Sequence, residues 1–286
     1  MNYLDLFSGA GGFHLGLKQA GIKFNKTFFS EIDKNAIKIY KKQFPNSIEL
    51  GDIKNINEKK LPKIDLVTFG FPCQDISINR HGKGITGEKS SLFNQAIRII
   101  SWCKPKYFIF ENVKNLLSIN NGKDFIYILK TINNIGYNAQ WQLINSKWFL
   151  PQNRERVYFI GYTGKTSTPK ILPIGSCNTD NNKKLIKIGY INDKDYQQNR
   201  IYSTKGIAVN LNSGGGGWGT NTGLYKVKNG IRRLTPIECE RLQGFDDNYT
   251  GGLSDTARYR LLGNAVTVPV VKEIAINLKQ YLNFQE

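Results

Sequence analysis

Cys73, in the stretch "GFPCQDISI", follows an apolar run; Pro72 stiffens its approach and a polar, glycine-containing stretch continues to Gly87. A thiol at the mouth of a strand, rather than inside it, is partly exposed, and neighbouring cations can hold it as the nucleophilic thiolate. The ordinary alternative is a buried structural cysteine. Glu111, in "FENV", ends a second apolar run. A half-desolvated carboxyl there can donate a proton to a substrate, the alternative being a helix N-cap. Arg154 and Arg156 alternate in "QNRERVYFIG" and so point the same way. Two guanidinium forks on one face suit a phosphate or a base carbonyl, although a salt-bridged surface strand would use the same pattern.

A fourth signal lies at the start. "DLFSGAGGF" places a glycine-rich turn between a strand and a helix, with the acids Glu31 and Asp33 after the next strand. Such a turn lets a ligand approach the backbone, and a carboxylate about 20 residues on can accept hydrogen bonds from ribose hydroxyls. A strict GxGxxG needs glycine where this chain has His14. The pattern therefore favours an adenosine ligand without a pyrophosphate. Asp52, in "GDI", is placed either to reach an adenine amino group or to serve as a loop acid.

The elements that position these residues read as alternating strands and helices. Apolar runs at 2–7, 26–33, 64–71 and 106–113 predict strands, the last ending at Glu111, and 139–145 and 156–162 predict two more. Amphipathic stretches at 13–20, 33–44 (capped by Asp33, with Ile37, Tyr40 and Phe44 on one face), 90–103 and 124–135 predict the helices between them. This is the α/β pattern of a doubly wound, mostly parallel sheet, which binds ligands at the carboxyl ends of its strands. From about residue 163 to 230 the chain turns polar and irregular, with weak alternation in "IAVNLNS" and glycines at 214–217. Helical pattern returns at Pro236 and again from Pro269, where Val271, Ile274, Leu278 and Leu282 form a stripe.

Composition narrows the partners. With 40 Lys+Arg against 22 Asp+Glu, the net charge of +18 points to a polyanion, although an AT-rich coding bias toward Lys and Asn gives the same direction. Four widely spaced cysteines and two histidines predict no metal site and reduced thiols. No run approaches the roughly 18 apolar residues of a membrane span, and the acidic start is unlike a signal peptide. The expectation is a cytoplasmic protein with no membrane partner.

The order and wording of these motifs resemble the bacterial DNA (cytosine-5)-methyltransferases that partner restriction enzymes. "DLFSGAGGF" resembles the first cofactor motif, "GFPCQDIS" the nucleophile loop, "ENV" the glutamate motif and "QNRERVYFIG" the arginine motif. "RRLTPIECERLQGF" resembles the motif after the recognition region, and "RLLGNAVTVPVV" the closing cofactor motif. The resemblance covers nearly all the chain except about 164–200. It implies S-adenosylmethionine as cofactor and duplex DNA as substrate, on a Rossmann-like fold with a small β-rich recognition domain. It also implies that Cys73 attacks carbon 6 of a flipped-out cytosine while Glu111 holds ring nitrogen 3 and the amino group. Arg156 would touch the cytosine carbonyl, and Arg154 would steady the loop or a phosphate.

By the same resemblance Phe7, Ser8, Gly9, Ala10 and Gly12 line the cofactor, Glu31 holds its ribose, Ile32 packs on adenine, and Asp52 and Ile53 meet the adenine edge. Pro72, Leu92, Asn264, Ala265 and Val266 would close the pocket around the amino acid portion. Gln74, Ser77, Asn79 and Arg80 would clamp DNA. "RIYSTKGIA" and "TGLY" resemble the recognition region of GCGC-methylating members, where Gln197 (or its neighbour Gln198) fills the gap left by the flipped base and Arg200 or Lys205 reads a base. Asn79 stands where those members have serine. The implied division is a catalytic domain at 1–163 and 257–286 and a recognition domain at 164–256, in a monomer whose counterpart is a separately acting endonuclease. Alternatives are a transfer RNA methyltransferase on the same fold, a silent DNA-binding relative, and an NAD-type oxidoreductase, against which His14 counts.

Overall fold

In the computed structural model, residues 1–71, 92–164, 168–175, 184–192, 195–214 and 219–282 are described. Strands β1 (Asn2–Leu6), β2 (Lys26–Ser30), β3 (Ile48–Glu49), β4 (Leu66–Phe69), β5 (Tyr107–Val113), β6 (Asn138–Asn145) and β7 (Glu155–Tyr162) form one sheet in the order β3-β2-β1-β4-β5-β7-β6. The first five run parallel, and β7 pairs antiparallel with both β5 and β6. The chain winds outward from β1 to β3, then restarts beside β1 with β4. The switch point therefore lies between β1 and β4, where open α/β sheets hold ligands.

Side-chain alternation along the strands divides the core into two layers. Leu4, Leu6, Val67, Phe69, Phe108 and Phe110 face helices α3 (Leu92–Cys103) and α4 (Lys123–Asn134). Tyr3, Leu66, Ile109, Tyr158 and Ile160 face α1 (Gly12–Gln19) and α7 (Val268–Leu282). Gly16 lets α1 and α7 touch, since a Cβ there would lie 2.7 Å from Val271 Cβ. The stretch Asp255–Leu282 is long and apolar enough to cross a membrane, yet 67% of its window is buried, as in a core helix.

In α2 (Lys34–Gln43) the predicted face holds, Ile37, Tyr40 and Phe44 packing as one cluster with Phe29 of β2, while Ala36 and Ile39 are buried as well. Two local expectations change. Strand β5 continues past Glu111 to Val113, since its pairing with β7 extends to Val113 opposite Arg156. Helix α6 (Asp255–Asn264), capped by Ser254, falls where no helix was predicted.

Residues beyond 184 add a four-stranded sheet, ordered β11-β10-β9-β8, from β8 (Lys187–Tyr190), β9 (Arg200–Ser203), β10 (Leu224–Val227) and β11 (Gly230–Arg233). "IAVNLNS" forms no strand there; Ala208 makes a single bridge with Gln152. Too polar for its own core, this region shares one: Tyr202, Val209, Leu211 and Tyr225 pack with α5 (Pro236–Gln243), α6, Ala10 and Ile39. Residues 168–175 instead follow β6. Gln140 and Gln142, on one face of that strand, accept hydrogen bonds from the backbone of Leu172 (3.0 Å) and Ile174 (2.8 Å). Ile171 and Ile174 are buried with α7.

Beneath the glycine turn lies a buried polar chain. The Asp5 carboxylate accepts from Thr68 Oγ1 (2.8 Å) and Tyr40 OH (3.3 Å), while His14 Nδ1 meets Tyr40 OH at 3.0 Å and its ring stacks on Phe44. His14, which displaced the expected glycine, is thus a core residue. Burial pushes the Asp5 carboxyl up to about 8 and the His14 imidazole down to about 3. An unfolded Asp titrates near about 3.9 and His near about 6.5. Asp5 therefore contributes stability that is complete at acid pH and lost as pH rises through about 8. The His14 contribution is present above about pH 6.5 and lost as pH falls toward about 3. Asp5→Asn is expected to flatten the fall in melting temperature as pH rises from about 4 to about 8. Parallel melting curves for wild type and variant would contradict this.

Candidate active site

The turns that follow β1, β2, β4 and β5 surround a cavity of about 490 Å³ at the carboxyl ends of those strands. The glycine turn supplies its first wall. Phe7 and Gly9 take left-handed backbone (φ 52° and 53°), and the space beside the Gly9 Cα is open. Glu31 pins this turn to the end of β2: its carboxylate accepts from Gly9 N (2.9 Å), Ile32 N (2.8 Å) and Asp33 N (3.0 Å). Ile32 is left 72% exposed at the rim. Asp52 caps the next turn through Lys54 N (2.9 Å), bringing Ile53 to the same wall.

Of the residues predicted to hold a cofactor, Phe7, Gly9, Glu31, Ile32, Asp52, Ile53, Leu92 and Asn264 line this cavity. Ser8, Ala10, Gly12, Ala265 and Val266 are buried behind it. Gly12 serves packing, for a Cβ there would lie 2.8 Å from Val266 Cγ2. Sequence reasoning missed the lining residue Arg260, whose guanidinium pairs with Asp33 Oδ2 at 2.5 Å. The signal was its place as the first residue of "RLLGNAVTVPVV", whose later residues alone were singled out.

The opposite wall carries a buried charged pair. Glu111 and Arg156 lie across the β5–β7 pair, with Arg156 Nε 2.9 Å from Glu111 Oε1 and both side chains largely buried. That oxygen has no aligned hydrogen bond among the described residues, so the contact is one of charge. Gly70 leaves room beside the carboxylate: a Cβ there would stand 3.7 Å from Glu111 Oε2. Asn112 Nδ2 donates to Phe71 O (3.0 Å), tying "ENV" to the backbone two residues before Cys73. Cys73 itself, with Pro72, Gln74, Ser77, Asn79 and Arg80, lies outside the described residues.

Arg154 sits apart from Arg156 in environment. It is 2% exposed. Its guanidinium donates to Asn210 Oδ1 (2.9 Å) and to the carbonyls of Leu211 (3.1 Å), Gly263 (3.2 Å) and Ala265 (2.9 Å). Burial, reinforced by the Arg156 charge, pulls it down to about 9. Arg154 thereby ties the start of β7 to the 210–211 and 263–265 segments. Of the predicted DNA-reading residues, Gln197 lies in the short turn Gln197–Asn199. Arg200 Nε donates to Asp195 Oδ1 (2.5 Å), and Lys205 is exposed.

The strap from Asn112 gives an expected result. Asn112→Ala removes this buried bond and should lower stability by roughly 1–3 kcal/mol. Urea melts of wild type and variant check this, and an unchanged midpoint counts against the strap.

A cavity of this size at the β1/β4 switch point suits a nucleoside-sized ligand. The donor set fits one with a ribose and an amino acid arm, since the Glu31 carboxylate and the glycine turn face the same space. This is the architecture of Rossmann-like, S-adenosylmethionine-dependent methyltransferases. Similar solved structures include the Schizosaccharomyces pombe Dnmt2 methyltransferase, with a TM-score of 0.76, 21% identity and coverage of 99% of this chain and 100% of that one. The Spodoptera frugiperda DNMT2 triple mutant aligns with a TM-score of 0.71 at 21% identity, over 97% of this chain and 99% of that one. At this identity they speak for the fold.

The chain belongs to the C-5 cytosine-specific DNA methylase family, whose profile matches residues 1–213 and 176–280. The type II methyltransferase M.HhaI of Haemophilus parahaemolyticus is 33% identical, the alignment covering 100% of this chain and 96% of that protein. M.Bsp6I of Bacillus sp. (strain RFL6), also a type II methyltransferase, is 34% identical over 96% of this chain and 97% of that protein. The enzyme is accordingly a DNA (cytosine-5)-methyltransferase, with S-adenosylmethionine as methyl donor.

Proposed function

We propose that this enzyme methylates carbon 5 of a cytosine flipped out of duplex DNA, through a covalent bond between Cys73 and carbon 6. The observation that carries the reading is the Glu111–Arg156 pair, held beside a strand end that runs within two residues into the Cys73 loop. Carbon 5 of cytosine is not nucleophilic until the ring is made enamine-like, which addition of a thiolate to carbon 6 achieves. Glu111 holds a proton at ring nitrogen 3 and accepts from the amino group, stabilising the charge that develops as sulfur adds. Arg156 donates to the ring carbonyl. The bound cofactor supplies an electrophilic methyl group and would keep the electron pair of the broken sulfur–methyl bond. Water then takes the carbon 5 proton, its bonding pair re-forms the ring double bond as Cys73 leaves as thiolate, and the proton at ring nitrogen 3 returns to Glu111. A ring inside a duplex cannot reach a sulfur at a strand end, so the base must leave the stack.

Phe7, Gly9, Glu31, Ile32, Asp52 and Ile53 hold the adenosine in this reading, and Leu92 with Asn264 borders the amino acid arm. The seven-stranded sheet carries catalysis, and the four-stranded sheet, inside 164–256, carries target recognition through Gln197, Arg200 and Lys205. The charge of +18 supports a phosphate-rich partner. The type II label of the relatives supports a role in protecting cytoplasmic DNA from a separately acting endonuclease, with one chain as the working unit. GCGC is the target suggested by "RIYSTKGIA". Incubating an unmethylated genomic library with enzyme and methyl donor, then mapping 5-methylcytosine at base resolution, tests the activity and its target sequence. Methylation confined to one short motif is expected; no new 5-methylcytosine would refute the reading.

A further inference from the structure

We infer that Asn210 is a positioning residue that sets Arg156 against Glu111 and connects the recognition region to the catalytic pair; this rests on the function proposed above. Its carboxamide oxygen stands between two guanidinium groups, accepting from Arg154 at 2.9 Å and, by a longer arm, from Arg156 at 3.5 Å. Arg154 cannot yield, because its remaining bonds go to the carbonyls of Leu211, Gly263 and Ala265. Arg156 is held differently: NH1 donates to Glu155 O (2.8 Å) and Nε faces Glu111 across 2.9 Å. Two like charges this close repel, and a shared neutral acceptor offsets that repulsion without competing with Glu111 for the ion pair.

The amide is itself fixed from the recognition side. Asn210 Nδ2 donates to Asn212 Oδ1 (2.9 Å), and Asn212 is joined to Asn221 by two bonds, from Asn212 N (2.9 Å) and from Asn221 Nδ2 (3.0 Å). Asn221 lies in the turn that leads into β10. A hydrogen-bonded path therefore runs from that turn through Asn212 and Asn210 to both arginines, and from Arg156 to Glu111. A displacement of the turn on a DNA partner moves the acceptor that Arg156 uses. In that position Asn210 acts on the chemical step through Arg156, not through the cofactor.

Single-turnover methyl transfer at saturating unmethylated genomic DNA and S-adenosylmethionine tests this, because an exponential rate constant does not depend on the folded fraction. Asn210→Ala is expected to lower that constant roughly 10-fold. Asn210→Gln, which keeps a neutral acceptor oxygen for the guanidiniums and an amide donor for Asn212, should stay within about 3-fold of wild type. Calorimetric S-adenosylmethionine affinity should be unchanged in both. An Asn210→Ala enzyme with the wild-type rate constant, losing only amplitude or melting temperature, overturns the inference and leaves the proposed function standing. Equal loss in both variants also overturns it, since the shared acceptor is then not what matters. A wild-type enzyme inert on all DNA overturns the proposed function and this inference with it.

Discussion

Replacing Cys73 with serine is expected to abolish methyl transfer, by roughly 10³-fold or more, while S-adenosylmethionine binding persists. A thiol is a few per cent thiolate at neutral pH and intrinsically nucleophilic, whereas a serine hydroxyl is neither unless a base activates it. Glu111 cannot serve as that base while it holds the proton on the ring. The cavity that would take the methyl donor is built by Phe7, Gly9, Glu31 and Asp52, and none of these depends on the sulfur. Transfer of radiolabelled methyl groups, measured beside calorimetry, separates the two effects. Substantial turnover by the serine variant would remove covalent catalysis from the account.

Glu111→Gln should slow transfer by roughly 100-fold or more. The amide keeps the shape and one hydrogen bond but cannot donate the proton that the attacked ring needs. It also leaves Arg156 without its anionic neighbour in a site where both side chains are about one-eighth exposed (13% and 12%), so a lower melting temperature is expected as well. Pre-steady-state rates and thermal melts should therefore be read together. A variant that melts lower but transfers at the wild-type rate would leave Glu111 a structural partner of Arg156 and nothing more.

Much of this site was legible because its residues sit at strand ends. Apolar runs mark the strands, so Glu31 and Glu111, at the ends of such runs, fall at the carboxyl edge once the sheet is wound. Asp33 as the cap of α2, and Pro236 entering α5 behind the Thr235 capping box, were equally readable from local chemistry. What escaped depends on contacts far apart in sequence. Helix α6 carries Arg258 and Arg260 among its apolar residues and presents no clear stripe, because Arg258 turns inward to the buried Glu240. The Arg260–Asp33 pair spans 227 positions. Asn210 looked like one more Asn in a polar tract. Only folding brings it between Arg154 and Arg156, and no periodicity announces a side chain whose partners are guanidiniums on another strand. Residues 168–175 were unreadable for a related reason. Their backbone pairs with the carboxamides of Gln140 and Gln142, a substitute for strand pairing that leaves no apolar pattern of its own.

The most direct measurement uses a duplex in which the target cytosine carries fluorine at carbon 5, supplied with S-adenosylmethionine. Fluorine cannot leave as a cation, so an adduct that has accepted methyl cannot eliminate. The account predicts a protein–DNA species stable to denaturation, with peptide mapping placing the cross-link on Cys73. Full occupancy of the same duplex by active enzyme with no linkage at Cys73, or with linkage at another residue, would contradict it.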